Sequence, residues 1–314
     1  MLNLVGQTAV LLMAYGSPNS LEEVAEYQRQ VRGGRSPTPA DVERLRERYR
    51  QVGGQTPLLK ITLAQAAVLQ RGFDSDQVPA KVYVGMKHWH PFIEETVQKI
   101  VGEGASSIVG LALAPHYSKL SIGGYEEAVH RGLDKTKDVL FSMIRSWHAQ
   151  PHLIQALAQR VRTGLDAMEK SSDAALLFTA HSLPKRFVSE DDPYFAQLNE
   201  TSSLVAGRSG AGVWDFAFQS SGEPAGSWLG PQIKEKIAEL SGKGFREILV
   251  CPVGFVSDHL EILYDLDIEA KEYGRSLRVR VARTQSLNDD PEFISAIAET
   301  VKPFLSSMVA IANA

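Results

Sequence analysis

Strand-length apolar segments recur along the chain and alternate with segments of helical periodicity. Continuous runs rich in Val, Ile, Leu and Phe are typical of buried strands. Such runs occupy residues 8–13, 81–86, 107–114, 139–144, 174–179, 213–219, 248–253 and 277–282. Because helical patterns separate nearly all of them, the sequence predicts an α/β fold with parallel sheets flanked by helices.

Two pairs of similar segments, about half the chain apart, indicate an internal repeat. LLMAYGSP at 11–18 resembles LLFTAHSLP at 176–184, and GLALAPHYS at 110–118 resembles LVCPVGFVS at 249–257. We therefore expect two similar lobes, at 1–147 and 148–289, whose strand-end loops meet at one cleft, and the second lobe contains His181 and Glu261. The last helix, at about 290–314, is expected to pack back on the first lobe.

Composition and charge exclude several classes of protein. The chain has 314 residues, 44% of them hydrophobic, a net charge of -4 and a pI near 6.1, so it is a folded protein with no general attraction to nucleic acid. Its single cysteine, Cys251, excludes an internal disulfide, an iron-sulfur cluster and a thiolate zinc site.

Localisation and assembly follow from what the sequence lacks. The apolar runs are of strand length, and the N-terminus has no basic region followed by a cleavage site, so we expect no integral membrane segment and a cytoplasmic protein. There is no obvious dimerisation helix, which makes a monomer the default.

Three carboxylates follow one another at four-residue steps in VSDHLEILYDLDIEA, residues 256–270. On a helix, Glu261, Asp265 and Glu269 would fall along one stripe. Like charges at this spacing destabilise a helix, so the stripe indicates the passage of a cation, although a solvated acidic face is the simpler alternative. The run comes directly after the apolar strand 248–253, where ligands of open α/β sheets bind, and this favours a function.

Polar ring side chains stand at the ends of other predicted strands. They are Tyr15, His88, His116, Tyr117 and His181. Histidine is the side chain best suited to accept protons near neutral pH. His181 taken alone would be a structural histidine, and that interpretation is kept for His88, His90 and His116. The acidic run favours proton transfer or metal binding at His181.

Several motifs make the whole chain resemble the ferrochelatases. These are TAHSLP around His181, DPY at 192–194, WLGP at 228–231, GFVSDHLEILYDLDIEA from Gly254 and YRQVGGQTPL from Tyr49. The resemblance implies an enzyme of haem biosynthesis, a lyase that inserts ferrous iron into a porphyrin. It also implies two Rossmann-like lobes related by a pseudo-repeat, the chelatase fold, with Fe²⁺ as substrate and no organic cofactor.

The resemblance assigns roles to the residues at the strand ends. His181 is similar to the family's metal-binding and proton-accepting histidine, and Glu261 to its acidic partner across the cleft, also a metal ligand. Asp265 and Glu269 resemble the outer steps of a metal path, where a second divalent metal could bind.

The segment MAYGSP is similar to the branch of the family that acts on coproporphyrin III and forms coproheme. In that branch this tyrosine, Tyr15 here, lies on the opposite porphyrin face and can coordinate iron. The positions that match the branch's propionate sites are Arg32, Arg48, Tyr49, Thr56 and Tyr125. Thr56 departs from the more usual serine but keeps the hydroxyl. The branch also implies a transient contact with a coproheme decarboxylase.

Other functions remain open from the sequence. One is a protoporphyrin IX ferrochelatase, and another is a chelatase for a different tetrapyrrole such as sirohydrochlorin. A third is a non-catalytic haem or metal carrier with two lobes. The acidic run favours a catalyst, because a carrier of finished haem has no need of a path for protons and iron.

Overall fold

The computed structural model describes residues 8–134, 139–169, 174–222 and 226–312, with side chains described up to 308. Each predicted apolar run forms a strand or most of one, which confirms the α/β fold. The strands are β1 (Thr8–Ala14), β2 (Ala80–Met86), β3 (Ser107–Ala112), β4 (Leu140–Ile144), β5 (Ala174–His181), β6 (Trp214–Gln219), β7 (Glu247–Cys251) and β8 (Arg280–Arg283).

Helices connect the strands and cover the sheets. In chain order they are α1 (Val24–Val31), α2 (Pro39–Gln51), α3 (Leu58–Ser75), α4 (Ile93–Gly102), α5 (Ile122–Leu133), α6 (Pro151–Asp166), α7 (Tyr194–Ser209), α8 (Ile233–Gly242), α9 (Leu260–Leu263), α10 (Lys271–Ser276) and α11 (Pro291–Ala312). A 3-10 turn forms Lys185–Phe187, and a π-helix forms Asp265–Ala270. In the described part of the chain, no helix has the length and apolar character needed to cross a membrane.

The strands form two four-stranded sheets with the same topology. Their orders are β2-β1-β3-β4 and β6-β5-β7-β8, and all neighbours are parallel. β1 therefore corresponds to β5 and β3 to β7, as the internal repeat predicts. Tyr15 follows β1 and His181 ends β5, so the two residues occur at equivalent points of the two sheets.

The chain divides into two compact units. The first contains Met1–Pro115, Ser121–Trp147 and Asn288–Ala314, and the second contains His116–Leu120 and His148–Leu287. In the first unit, Phe293 of α11 packs 5.9 Å from Trp147, measured between ring centroids. Segment 116–120 belongs to the second unit because His116 Nε2 lies 2.8 Å from Thr201 Oγ1 and the Tyr117 amide donates to Gln197.

One face of the second sheet carries the core on which the acidic run rests. Leu177 of β5 and Val250 of β7 pack there with Ile237 of α8. Ile262 of α9 and Leu266 of the π-helix belong to the same buried cluster. Burial of these apolar side chains fixes the acidic segment against the sheet, at the ends of β5 and β7.

Candidate functional site

His181 and Glu261 meet at the carboxyl ends of two neighbouring strands in the second unit. His181 is the last residue of β5, and Glu261 lies in α9, which follows β7. Side chains from such strand ends gather at one edge of a parallel sheet. His181 Nε2 lies 3.3 Å from Glu261 Oε1, and each side chain is about one third exposed, 33% and 28%.

The charge of Glu261 controls the protonation of His181. Burial alone would lower the pKa of the imidazole, but the charge and hydrogen bond of Glu261, the Ser182 carbonyl and the charge of Asp265 together raise it to about 9. Burial would likewise raise the pKa of Glu261, and the two imidazoles of His181 and His259 hold it well below its usual range. The pair is therefore an imidazolium and a carboxylate at neutral pH.

The Ser182 backbone fixes which nitrogen of His181 faces Glu261. Nδ1 bonds to the Ser182 carbonyl oxygen, and because a carbonyl only accepts, Nδ1 must carry hydrogen. Nε2 is then the basic nitrogen when the ring is neutral. The atom that gains and loses the proton is the one beside the carboxylate.

His259 is a member of the site that sequence reasoning missed. Its Nε2 lies 3.6 Å from Glu261 Oε2, and its Nδ1 donates to the Ser257 carbonyl at 2.9 Å. Residues two apart do not share a face of a helix, so the spacing in HLE, residues 259–261, does not predict a contact between His259 and Glu261. His259 precedes α9 with extended backbone, φ -155° and ψ -176°, and this brings its ring back to Glu261.

The resemblance to the family implies that Glu261 lies across the cleft from His181, whereas the predicted lobe 148–289 contains both residues. Both residues belong to the second unit, because β5 and β7 are neighbours in one sheet. The acid is thus the direct hydrogen-bond partner of the imidazole.

The acidic run is not the continuous α-helix that the four-residue spacing predicts. After α9 the backbone widens into the π-helix, where the amide of Glu269 donates to the Tyr264 carbonyl at 3.0 Å, a five-residue step. Asp265 is buried and accepts a hydrogen bond from Ser220. Glu269 is exposed by 41% and lies 3.8 Å from Lys234. A solvated acidic face is excluded for Asp265, and the run ends at the surface at Glu269.

A partly buried arginine, Arg283, ties both sides of the acidic segment to β8. One nitrogen of Arg283, Nη2, lies 3.1 Å from Asp258, before α9, and 2.8 Å from Asp267 in the π-helix. Lys271 and Ser286 complete the network, at 2.6 Å from Asp267 and 2.8 Å from Asp258. The helix that carries Glu261 is therefore held at both ends.

The described part of the chain offers few ligands to a metal ion. Among the residues that the structure describes, no group of three or more His, Cys, Asp and Glu side chains could hold one. Carboxylate and imidazole suit a divalent ion, so His181 and Glu261 could bind ferrous iron as substrate only with ligands from elsewhere. The second divalent metal near Asp265 and Glu269 stays a prediction.

In the first unit, Tyr15 stands exposed after the end of β1. Its side chain is 44% exposed and its ring centroid lies 4.5 Å from that of His88. The amide of His88 donates to the Tyr15 carbonyl at 2.9 Å. Gly16 makes the following turn possible, since its φ is +96° and a Cβ there would lie 2.9 Å from the Trp89 nitrogen.

Three hydroxyl groups meet behind this turn, and we call Ser17, Tyr49 and Thr56 the hydroxyl cluster. Ser17 Oγ lies 2.9 Å from the Tyr49 hydroxyl and 2.7 Å from Thr56 Oγ1. Tyr49 is buried on α2, and Thr56 precedes α3. The structure thus brings together two of the predicted propionate residues. It adds Ser17, which sequence reasoning missed because nothing local links it to positions over thirty residues away.

The other predicted propionate residues lie in different surroundings. Arg32 pairs with Asp41 at 2.9 Å and is 38% exposed, while Arg48 is partly buried next to Tyr49. Tyr125 is buried on α5, and its burial and the nearby Tyr15 raise the pKa of its hydroxyl.

Lys87 is a further cation that sequence reasoning passed over. Its Nζ lies 5.0 Å from the centroid of the Tyr125 ring. Burial lowers the pKa of Lys87 and, together with the Lys87 charge, lowers that of His88 to about 4. The neutral His88 ring beside Tyr15 is therefore a packing partner at physiological pH.

Comparisons with known proteins agree in family and fold. A protein-family model described as "Ferrochelatase" matches residues 7–304. The ferrochelatase of Herpetosiphon aurantiacus is 44% identical over 301 residues, covering 94% of this chain and 98% of that protein. The coproporphyrin III ferrochelatase of Geobacillus thermodenitrificans is 37% identical over 297 residues, covering 93% and 94%. The sirohydrochlorin chelatase SirB of Bacillus subtilis subspecies spizizenii shares the fold, with a TM-score of 0.57 over 96% of both chains at 12% identity.

Proposed function

Because the chain belongs to the ferrochelatase family and inserts ferrous iron into a porphyrin for haem biosynthesis, we propose that its porphyrin is coproporphyrin III and its product coproheme. The relative from Geobacillus thermodenitrificans carries this substrate in its name. Tyr15 follows β1, at the position that the sequence assigns to this branch.

The polar groups of the first unit support a substrate with many carboxylates. Coproporphyrin III carries four propionates, and each needs hydroxyl or cationic partners. In the hydroxyl cluster, the hydroxyls of Tyr49 and Thr56 each lie within 2.9 Å of Ser17 Oγ, and Arg48 is next to Tyr49 along α2. We assign Arg32, Arg48, Tyr125 and the cluster residues Tyr49 and Thr56 to propionate binding, and Tyr15 to coordination of the iron.

The observation that carries the chemistry is the contact of 3.3 Å between His181 Nε2 and Glu261 Oε1. Insertion requires two pyrrole N–H protons to leave the ring while ferrous iron sheds its water. We assign His181 the role of proton acceptor and Glu261 that of its acidic partner and of a ligand to the entering iron.

The raised pKa of His181 sets the order of these events. The imidazole already holds a proton at neutral pH, because the carboxylate of Glu261 stabilises its charge. Ferrous iron that binds the carboxylate cancels this stabilisation, so His181 releases its proton and becomes able to accept one from the porphyrin. We assign the buried Asp265 and the exposed Glu269 to the route of the released protons or of the arriving iron.

An anaerobic insertion assay with two porphyrins tests this proposal. The purified protein is mixed with ferrous iron and either coproporphyrin III or protoporphyrin IX, and metallation is followed by absorbance. We expect much faster metallation of coproporphyrin III. A preference for protoporphyrin IX would overturn the substrate, and binding of both porphyrins without metallation would indicate a carrier.

A single variant separates the role of Tyr15 from that of the hydroxyl cluster. Tyr15→Phe keeps the ring against His88 and removes only the hydroxyl. We expect a lower insertion rate with unchanged affinity for coproporphyrin III, measured by fluorescence quenching. A loss of affinity with an unchanged rate would place Tyr15 among the propionate groups instead.

A further inference from the structure

Gln219, the last residue of β6, is fully buried and bonds to the segment that carries Glu261. Its Nε2 lies 3.0 Å from the backbone carbonyl oxygen of Glu261. Because a carbonyl only accepts, the amide nitrogen must face Glu261 and the amide oxygen must face away. This one bond therefore orients the whole side-chain amide.

Gln219 stands beside His181 in the sheet, so its bond to Glu261 connects the two residues of the proposed reaction. We call His181 and Glu261 the reaction centre. In the parallel pairing of β5 with β6, Gln219 is the register partner of His181. Side chains of register partners leave the same face of a sheet. The backbone of Gln219 is thus level with His181, and its side chain reaches the main chain of Glu261.

The other half of the amide takes no part in orienting the side chain. Gln219 Oε1 is buried and has no hydrogen-bond partner among the described residues. An unsatisfied buried acceptor costs free energy, which an apolar side chain of similar shape would avoid. The bond from Nε2 to the Glu261 carbonyl is therefore the polar contact that positions this amide.

We propose that Gln219 is a positioning residue for iron insertion, which sets the distance between His181 and Glu261 by holding the Glu261 carbonyl at the end of β6. The inference rests on the proposed function, in which these two groups act together. Gln219 contacts neither iron nor porphyrin in this role. It acts through Glu261, as partners of metal ligands do in other proteins.

The main test is Gln219→Met, which keeps the length of the side chain and removes the donor without changing any charge. We expect kcat for coproporphyrin III metallation to fall about tenfold to a hundredfold, with KM for the porphyrin within about twofold. The pKa of His181, followed by NMR of the imidazole, should fall as well, because Glu261 moves away and burial then dominates.

Thr179 offers a matched control on the same face of the same sheet. It lies two residues before His181 on β5, is fully buried, and its Oγ1 likewise has no partner among the described residues. Thr179→Val removes that hydroxyl at nearly constant volume. We expect it to leave kcat and the His181 titration unchanged.

The results distinguish a failure of the Gln219 proposal from a failure of the proposed function of His181 and Glu261. If Gln219→Met matches Thr179→Val in both kcat and His181 pKa, the positioning role is overturned. If Gln219→Met does not fold, Gln219→Asn replaces it, since its amide is one methylene too short for the bond, and wild-type kcat in that variant overturns the role equally. Full activity in His181→Ala would instead overturn the reaction centre, and the positioning role with it.

Discussion

The two units have the same sheet and different chemistry at its edge. Both place their first strand between the second and third, and both carry a polar ring residue where that strand ends, Tyr15 in one and His181 in the other. Around Tyr15 the partners are a histidine with a lowered pKa and a set of hydroxyls. Around His181 they are carboxylates, and the imidazole is charged.

We infer from this difference that the two units have different tasks in the proposed reaction. Parallel strands fix where side chains emerge, and the loops after them decide what those side chains are. The hydroxyl cluster suits the recognition of carboxylates, whereas the coupled imidazole and carboxylate suit the movement of protons and cations. Variants in the two units should therefore alter different kinetic constants.

The largest effect is expected from His181→Ala. Loss of the proton acceptor should lower the insertion rate by about 10² to 10⁴-fold while affinity for the porphyrin, measured by fluorescence quenching, stays within about twofold. His90→Ala is the matched control, since His90 also faces a carboxylate, Glu95, at 3.5 Å but is 59% exposed. A loss of affinity with an unchanged rate in His181→Ala would contradict the assignment of proton transfer to the second unit and of porphyrin recognition to the first.

Arg283→Met should have the next largest effect, on stability. Asp258 would lose its ion pair with Arg283, while Asp267 would keep its pair with Lys271, so we expect the free energy of unfolding in urea to fall by about 1–3 kcal/mol. Arg29→Met is the control, because Arg29 pairs with Glu26 at 2.6 Å but both side chains are more than 40% exposed, and little or no loss is expected. Equal losses of unfolding free energy in the two variants would show that Arg283 stabilises the acidic segment no more than an exposed ion pair would.

Tyr49→Phe should have a smaller effect, of the opposite kinetic type. It removes one hydroxyl of the cluster, worth about 1 kcal/mol, so KM for coproporphyrin III should rise about fivefold with kcat unchanged. A fall in kcat at constant KM would move the cluster from recognition to chemistry.

Thr56→Ser should have the smallest effect, because it keeps the hydroxyl that bonds to Ser17. We expect KM for coproporphyrin III to stay within about twofold of the wild type. Thr56→Val, which removes the hydroxyl at similar volume, provides the contrast and should raise KM as Tyr49→Phe does. Identical values for the two variants would exclude a role of the Thr56 hydroxyl.

Local sequence patterns predicted the strands and the repeat, and they singled out His181 and Glu261, which the structure brings to 3.3 Å of each other. Apolar runs marked every strand that the structure describes, and the motifs around His181 and Glu261 led to the family before the fold was known. Features that depend on contacts between distant residues could not be predicted in this way. Gln219 and Arg283 reach the acidic segment from other strands, and Ser17 meets Thr56 across 39 residues.

Two further features differ from the prediction because the backbone departs from regular α-helix geometry. The four-residue spacing of Glu261, Asp265 and Glu269 predicts an α-helix, but the backbone widens into a π-helix, a form that often occurs at functional sites. The contact of His259 with Glu261 could not be predicted, because side chains two residues apart on a helix point in different directions. The extended backbone before α9 removes that separation.

The most direct test of a coupled imidazole and carboxylate is the pH dependence of kcat/KM for ferrous iron, measured anaerobically in the wild type and in Glu261→Gln. Only the neutral imidazole accepts a proton, so kcat/KM in the wild type should rise with pH and level off above about 9, the pKa of His181 in the free protein. In Glu261→Gln the rate should be lower and the inflection should move to lower pH, because the charge that raises the pKa is gone. An inflection at the same pH in both proteins would contradict the coupling of His181 to Glu261.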